Sequence, residues 1–191
     1  MLGRDALNAL AQLLWTTPDE QVYALLDGAS VPGLLDRLYA APRPQFECLL
    51  FGELTPDMAE VAPYLVRLER DSALTEWTLA YGWGNHWGSF AVARCDLRSL
   101  WFHLRTLNVV YGPEGRPMLF RYYDPRVLRI FLPTCSAEQI AQMFGPTERF
   151  VAEGEGEGDV AASALTFTHA AGVLQTGTRQ IARALPASGP R

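Results

Sequence analysis

The amino-acid sequence predicts one α/β domain, in which helices pack on a mixed, partly antiparallel sheet. Segments with apolar residues at helical spacing alternate along the chain with short apolar runs typical of strands. A compact turn between two of these runs predicts an antiparallel hairpin. The chain has 191 residues, of which 49% are hydrophobic and 19% charged. This composition supplies a full core and differs from that of disordered chains.

The first half of the chain alternates the two patterns. In order, we expect a helix at 3–15, a strand at 21–26, a helix capped by Ser30 that ends before Pro42, strands at 46–51 and 63–68, a helix around 74–81 and a strand at 87–93. The helices repeat apolar residues three and four positions apart. Pro63 cannot donate a ladder hydrogen bond, which favours an edge position for the strand that it begins.

In the second half of the chain, N-cap residues mark where the predicted helices begin. In order, we expect a helix capped by Asp96, a hairpin of strands 107–111 and 117–123, a helix begun by Asp124, and a helix at 136–144. Asp124 with Pro125 is a good N-cap and first helical residue. Ser136 with Gln139 predicts a capping box, and Gly145 ends that helix. We therefore expect an α/β domain over residues 1–152.

The composition of the sequence changes after residue 152. Residues 153–159 alternate acids with glycines, a composition typical of a mobile, self-repelling loop. A C-terminal extension at 160–191 follows, with a possible returning strand at 164–169, a weak helix at 173–185 and a frayed end from 186.

Charge and composition argue against several classes of protein. The net charge is -5, but the acidic loop contributes -4 of it, which leaves the rest of the chain near -1. The local enrichment in Arg116, Arg121, Arg126 and Arg129 is interrupted by acids, so a nucleic-acid partner is disfavoured. No apolar run is long enough to span a bilayer. A signal peptide needs an unbroken apolar segment near the N-terminus, and Asp5 interrupts such a segment here. The three cysteines are scattered singly along the chain, which is typical of reduced thiols. We therefore expect a cytoplasmic protein with no membrane partner.

A hydrolase-like enzyme is the alternative class. His86 and Asp124, with Cys95 or Cys135, could form a base, an orienting acid and a nucleophile. No Gly-x-Ser-x-Gly elbow or catalytic cysteine neighbourhood supports that arrangement. The three histidines lack metal-ligand spacing, and the glycines at 82–88 lie between a helix and a strand, the wrong order for a phosphate loop. We expect no catalytic residues, metal or cofactor.

Two aromatic segments are the most distinctive local chemistry. Trp77 and Trp87 are expected to anchor the core, whereas Trp83 and His86 lie on a connection where core and interface roles are equally open. In the second segment, residues 120–128, Asp124 is favoured as a structural cap.

Four segments in this order resemble one known family. They are Val22 to Ala29, Gly82-Trp83-Gly84-x-His86-Trp87-Gly88, Leu97-x-x-Leu100-x-x-His103-Leu104-Arg105, and Phe120-Arg121-Tyr122-Tyr123-Asp124-Pro125-Arg126-Val127-Leu128. The combination, spanning about residues 20–150, resembles the type VI secretion effector adaptors, also called Tap or Tec chaperones, which share the DUF4123 domain.

The resemblance implies a non-enzymatic protein that holds a toxin effector and helps to load it onto the secretion spike. The spike is a VgrG trimer with or without a PAAR tip, so the implied partners are the toxin and possibly VgrG or PAAR. No catalytic residue is carried over from the family. The predicted partner-binding residues are Trp83, His86, Trp87, Tyr122, Arg126 and Arg129.

Overall fold

The described part of the chain contains nine strands, which form its framework. The structure, a computed structural model, describes residues 2–155 and 163–181. The strands are β1 (Gln21–Asp27), β2 (Phe46–Cys48), β3 (Pro63–Leu68), β4 (Gly88–Ala93), β5 (Val109–Tyr111), β6 (Pro117–Leu119), β7 (Thr147–Glu153), β8 (Ser163–Ala170) and β9 (Val173–Gln180). Seven of them form one sheet in the order β2-β3-β1-β4-β7-β8-β9, and β5 with β6 forms the separate predicted hairpin. Every ladder between described strands is antiparallel.

Residues 2–155 and 163–181 also form seven α-helices, most of which pack on this sheet. They are α1 (Arg4–Leu14), α2 (Leu34–Ala40), α3 (Pro56–Val61), α4 (Ala73–Gly82), α5 (Leu97–Leu104), α6 (Pro125–Phe131) and α7 (Ala137–Phe144). The predicted Asp96, Asp124 and Ser136 side chains cap α5, α6 and α7, and Ser136 forms the full capping box with Gln139. The prediction of a single α/β domain is confirmed.

The core has two halves, one on each face of the sheet. Apolar residues of α1, α2 and α4 pack on one face, and those of α5, α6 and α7 pack on the other. Along β1, Ala24 belongs to the first half and Leu25 to the second. Successive strand residues point to opposite faces, so a strand covered on both faces becomes continuously apolar. This explains why residues 22–26 show no polar alternation.

The predicted edge position of β3 is wrong. This strand lies between β2 and β1 in the sheet. Pro63 is tolerated because it is the first residue of the strand and contributes only its carbonyl, which accepts a hydrogen bond from Leu49 N at 2.9 Å.

The predicted cap of the second helix is also wrong. Residues 28–30 form a short 3-10 turn, and α2 begins at Leu34 after Gly33. Gly33 has a φ of +69°, a left-handed conformation that glycine adopts without a steric penalty. Ser30 instead donates its hydroxyl to Asp27, which caps the 3-10 turn.

Residues 163–180 form two strands, where the sequence predicted one strand followed by a weak helix. The expected returning strand is present as β8, but residues 173–180 form β9 rather than a helix. Ala171 and Gly172 both have positive φ, which makes a tight reversal, and the open edge of β8 then offers eight residue pairs to the returning chain. Tertiary pairing thus overrides a weak helical pattern. Residues 156–162, with most of the acidic loop, and the end expected to fray lie outside the described residues.

Among the described helices, none has the length and apolar character needed to cross a membrane.

Candidate partner-binding surface

The two aromatic segments of the sequence meet at one end of the sheet. Antiparallel pairing places the end of β1 beside the start of β4, and the start of β4 beside the end of β7. The connection between α4 and β4, residues 83–87, therefore lies next to Asp27 and Glu153. The start of α6 reaches the same place through Arg121, whose guanidinium contacts Asp27.

A charged cluster occupies this end of the sheet. Its members are three buried acids and three partly exposed nitrogen-bearing side chains: Asp27, Asp124, Glu153, His86, Arg121 and Arg126. The acids lie under the surface and the arginines and histidine lie over them. Because a buried charge is costly without a partner, this layered arrangement is the form in which such acids are tolerated.

Glu153 fixes the connection between α4 and β4. Its carboxylate accepts a hydrogen bond from the Gly84 N–H and contacts His86 Nδ1. His86 has a φ of 55° and Gly84 a φ of 85°, so the chain makes a left-handed corner here. A buried acid that binds a main-chain N–H at this corner orients the imidazole at the surface, with 39% of its side chain exposed.

Asp27 and Asp124 share Arg121. Arg121 Nη2 lies 2.5 Å from Asp27 Oδ2 and 3.5 Å from Asp124 Oδ2. Arg126 binds Asp124 with two donors, Nε at 3.0 Å from Oδ1 and Nη2 at 2.7 Å from Oδ2. Asp124 also accepts the Arg126 N–H as the cap of α6. The start of α6 is thereby joined to the end of β1.

The electrostatics hold Asp124 ionised. Burial alone would raise the pKa of its carboxyl, but the hydrogen bonds from Arg126 and the charges of Arg126 and Arg121 outweigh burial and lower this pKa. The pKa of Tyr123 shifts in the opposite direction. Burial, together with the nearby charge of Asp27, raises the pKa of Tyr123 to about 12, so this phenol is neutral at physiological pH.

Two of the six predicted partner-binding residues lie in the core of the fold. Trp83 is 4% exposed and stacks on Phe90, with ring centroids 6.2 Å apart. Tyr122 is completely buried and donates its hydroxyl to the Leu104 carbonyl at 2.9 Å. The physical reason is that large rings gain more from burial under a helix layer than from exposure.

The other four residues reach the surface to different degrees. Trp87 is half-buried, and its ring centroid lies 4.7 Å from that of Trp77. Arg126 and Arg129 expose 48% and 16% of their side chains, and Arg129 Nη2 lies 3.3 Å from Glu155 Oε1. His86 and Arg126 belong to the charged cluster, whereas Trp87 lies on the same connection as His86 and Arg129 lies on α6 after Arg126.

Sequence reasoning missed Asp27 and Glu153. Asp27 directly follows the strand predicted at 21–26, and Glu153 begins the predicted acidic loop. Both are 2% exposed. The available signal was position, since each acid ends a continuously apolar strand, Val22 to Leu26 for Asp27 and Phe150 to Ala152 for Glu153.

The structure does not assemble the hydrolase alternative. His86 pairs with Glu153 and Asp124 with arginines, and within residues 2–155 and 163–181 no hydrogen bond joins His86 to Asp124. Burial raises the pKa of the Cys95 and Cys135 thiols, which disfavours the nucleophilic thiolate. The cavity beside Trp83, Trp87 and Glu153 measures about 10 Å³, space for at most one water molecule. In the described part of the chain, no three His, Cys, Asp or Glu side chains are grouped to hold a metal ion.

Comparison with known proteins identifies the family. The family model described as "Domain of unknown function (DUF4123)" matches residues 22–142. The chain belongs to the DUF4123 family. DUF4123 proteins are associated with the effector adaptors of type VI secretion. No curated protein and no solved structure matches the chain.

The DUF4123 match covers most of the charged cluster. It begins within β1 and ends within α7, so it includes Asp27, His86 and Asp124. Glu153 lies beyond it. The cluster thus joins the matched segment to the end of β7.

Proposed function

We propose that this DUF4123 protein is a cytoplasmic, non-enzymatic adaptor that binds a type VI secretion toxin and helps to load it onto the VgrG or PAAR spike. The observation that carries the proposal is the family match over residues 22–142. Such an adaptor works by reversible protein–protein contact, for which a moderately sized interface with a few strong contacts is suited.

The proposed contact surface comprises His86 and Arg126 of the charged cluster together with Trp87 and Arg129. Arg126 supports this assignment because its guanidinium is half-exposed while Asp124 fixes its orientation. A pre-oriented guanidinium loses less conformational freedom when a partner carboxylate or carbonyl binds. The half-buried ring of Trp87, which packs against Trp77, supplies apolar contact.

Co-purification tests the function itself. The tagged protein is produced with the toxin encoded beside it and with the VgrG spike. We expect the toxin to be retained, and toxin–VgrG association to increase when the adaptor is present. If the wild-type protein retains no toxin, or the purified protein alone turns over a substrate, the adaptor function is refuted.

Substitutions test the surface separately. An Arg126→Ala, His86→Ala double variant should bind the toxin about tenfold more weakly, a loss typical of an interface hot spot. Arg94→Ala is the matched control. Arg94 is an exposed arginine paired with Glu148, and it follows the last residue of β4, at the end of the strand away from His86. Circular dichroism and urea unfolding establish that each variant is folded. Full binding by the folded double variant would remove this surface from the proposal and leave the adaptor function standing.

A further inference from the structure

An open groove lies between α1 and α4, on the sheet face that also carries α2. Its volume is about 570 Å³, within the range of natural binding sites. The apolar side chains that line it are Leu2, Leu7, Ala11 and Trp15 from the α1 side, and Trp77, Leu79 and Ala80 from α4. The Leu2 N–H donates to the Ala80 carbonyl at 3.1 Å, which closes one end of the pair of helices.

Three arginines converge on this groove from different elements. Arg4 lies on α1, Arg37 on α2, and Arg70 just before α4. Within residues 2–155 and 163–181, none of the three forms an ion pair, although Asp71 and Glu76 also line the groove. Arg37 lies over the Trp77 ring, 5.3 Å from its centroid, which holds one cation against the apolar floor.

We propose that this groove binds an amphipathic helix of a partner polypeptide, with an apolar stripe flanked by acidic residues. Two adjacent helices leave a furrow into which the ridge of a third helix fits. Apolar residues at positions i, i+3, i+4 and i+7 of the bound helix would contact the rings of Trp15 and Trp77. Its acids would pair with Arg4, Arg37 and Arg70, for which the groove supplies no described ion-pair partner.

The inference rests on the proposed function in one respect, because we assign the bound helix to the toxin cargo. It extends that function to a second surface of stated specificity. α1 precedes the segment that matches DUF4123, so one wall of the groove comes from outside the family match.

Peptide binding tests the groove independently of the toxin. The probe is a labelled synthetic 18-residue helix of leucine, alanine and glutamate, with the glutamates flanking the leucine stripe, and its binding is measured by fluorescence anisotropy. We expect it to bind about tenfold more tightly than the same peptide with lysine in place of glutamate, because three arginines face it. Equal affinities for the two peptides, or no binding of either, would overturn the inference.

Two kinds of variant locate the binding. Ala11→Trp fills the groove and should abolish peptide binding, whereas Ala141→Trp, on the exposed side of α7, should leave it unchanged. If Ala11→Trp does not fold, Arg37→Glu with Arg70→Glu provides a second test on exposed positions, with Arg98→Glu as control. Unchanged peptide binding in the groove variants would refute the site.

The toxin then distinguishes the two proposals. If the groove variants lose both the peptide and the toxin, both proposals are supported. If they lose the peptide but keep the toxin, the helix belongs to another partner and our assignment of the cargo is wrong. If wild-type protein binds the peptide but no toxin, the proposed function fails while the groove stands.

Discussion

Replacement of Arg121 by methionine should destabilise the protein substantially. Arg121 Nη2 lies 2.5 Å from Asp27 and 3.5 Å from Asp124, and these two acids expose only 3% and 5% of their side chains. Without the guanidinium, the hydrogen bonds that Asp27 retains within residues 2–155 and 163–181 come from the Ala29 N–H at 3.3 Å and the Ser30 hydroxyl at 2.9 Å. Methionine retains the length of the side chain but supplies no positive charge.

The structure sets the expected magnitude. Removal of one partner from a fully buried ion pair costs about 3–5 kcal/mol. Arg121 is 41% exposed, so water can solvate part of the vacated space, and Asp124 keeps its bidentate contact with Arg126. We therefore expect a loss of about 2 kcal/mol in the free energy of unfolding, or about 4–8 °C in Tm for a chain of this size.

Urea unfolding at pH 7, followed by circular dichroism, measures this loss. Arg116→Met is the matched control, because Arg116 is 84% exposed and lies 3.6 Å from Glu114. A surface pair of this kind contributes about 0–1 kcal/mol. An Asp27→Asn, Arg121→Met double variant should lose less free energy of unfolding than the two single variants lose in sum, because both substitutions remove the same charge pair. Equal losses for Arg121→Met and Arg116→Met, or strict additivity in the double variant, would refute the role assigned to Arg121.

Two further predictions concern the sheet and the second half of the core. Gly88→Ala should abolish soluble expression, because a Cβ there would lie 1.8 Å from the Leu25 carbonyl oxygen in the neighbouring strand; Gly177→Ala, whose nearest atom is 3.9 Å away, should express normally. Burial lowers the pKa of His103, which the Nε2 contact with the Met143 carbonyl at 3.3 Å only partly offsets. The His103 imidazole is therefore harder to protonate in the folded state than in the unfolded state. Its contribution to the free energy of unfolding is present above the ordinary histidine pKa of about 6.5 and is lost as the pH falls below that value. Urea unfolding at pH 7.5 and 5.0 should show a larger loss for wild type than for His103→Gln, and equal losses would contradict this prediction.

Local sequence signals gave most of the elements of the fold. The caps at Asp96, Asp124 and Ser136 are short-range hydrogen bonds between a side chain and the next turn, so neighbouring residues are sufficient to predict them. The hairpin of β5 and β6 was predicted for the same reason. The prediction of a helix at 173–185 was wrong because the helical pattern of apolar residues was weak and the open edge of β8 was available for pairing.

The candidate surface was only partly accessible to such reasoning. The sequence indicated the segments around His86 and Arg126 but could not indicate that Trp83 and Tyr122 are buried. Aromatic side chains suit both cores and interfaces, and only the packing of neighbouring elements decides between these roles.

The sequence by itself determined the fold class, the caps of α5, α6 and α7, the hairpin turn and the family. The tertiary structure alone decided that Asp27, His86, Asp124 and Glu153 form one charged cluster and that α1 and α4 enclose a groove. The physical reason is range. Caps and periodicities depend on residues a few positions apart, whereas Asp27 and Arg121 are separated by 94 positions and meet only after antiparallel pairing has ordered the strands.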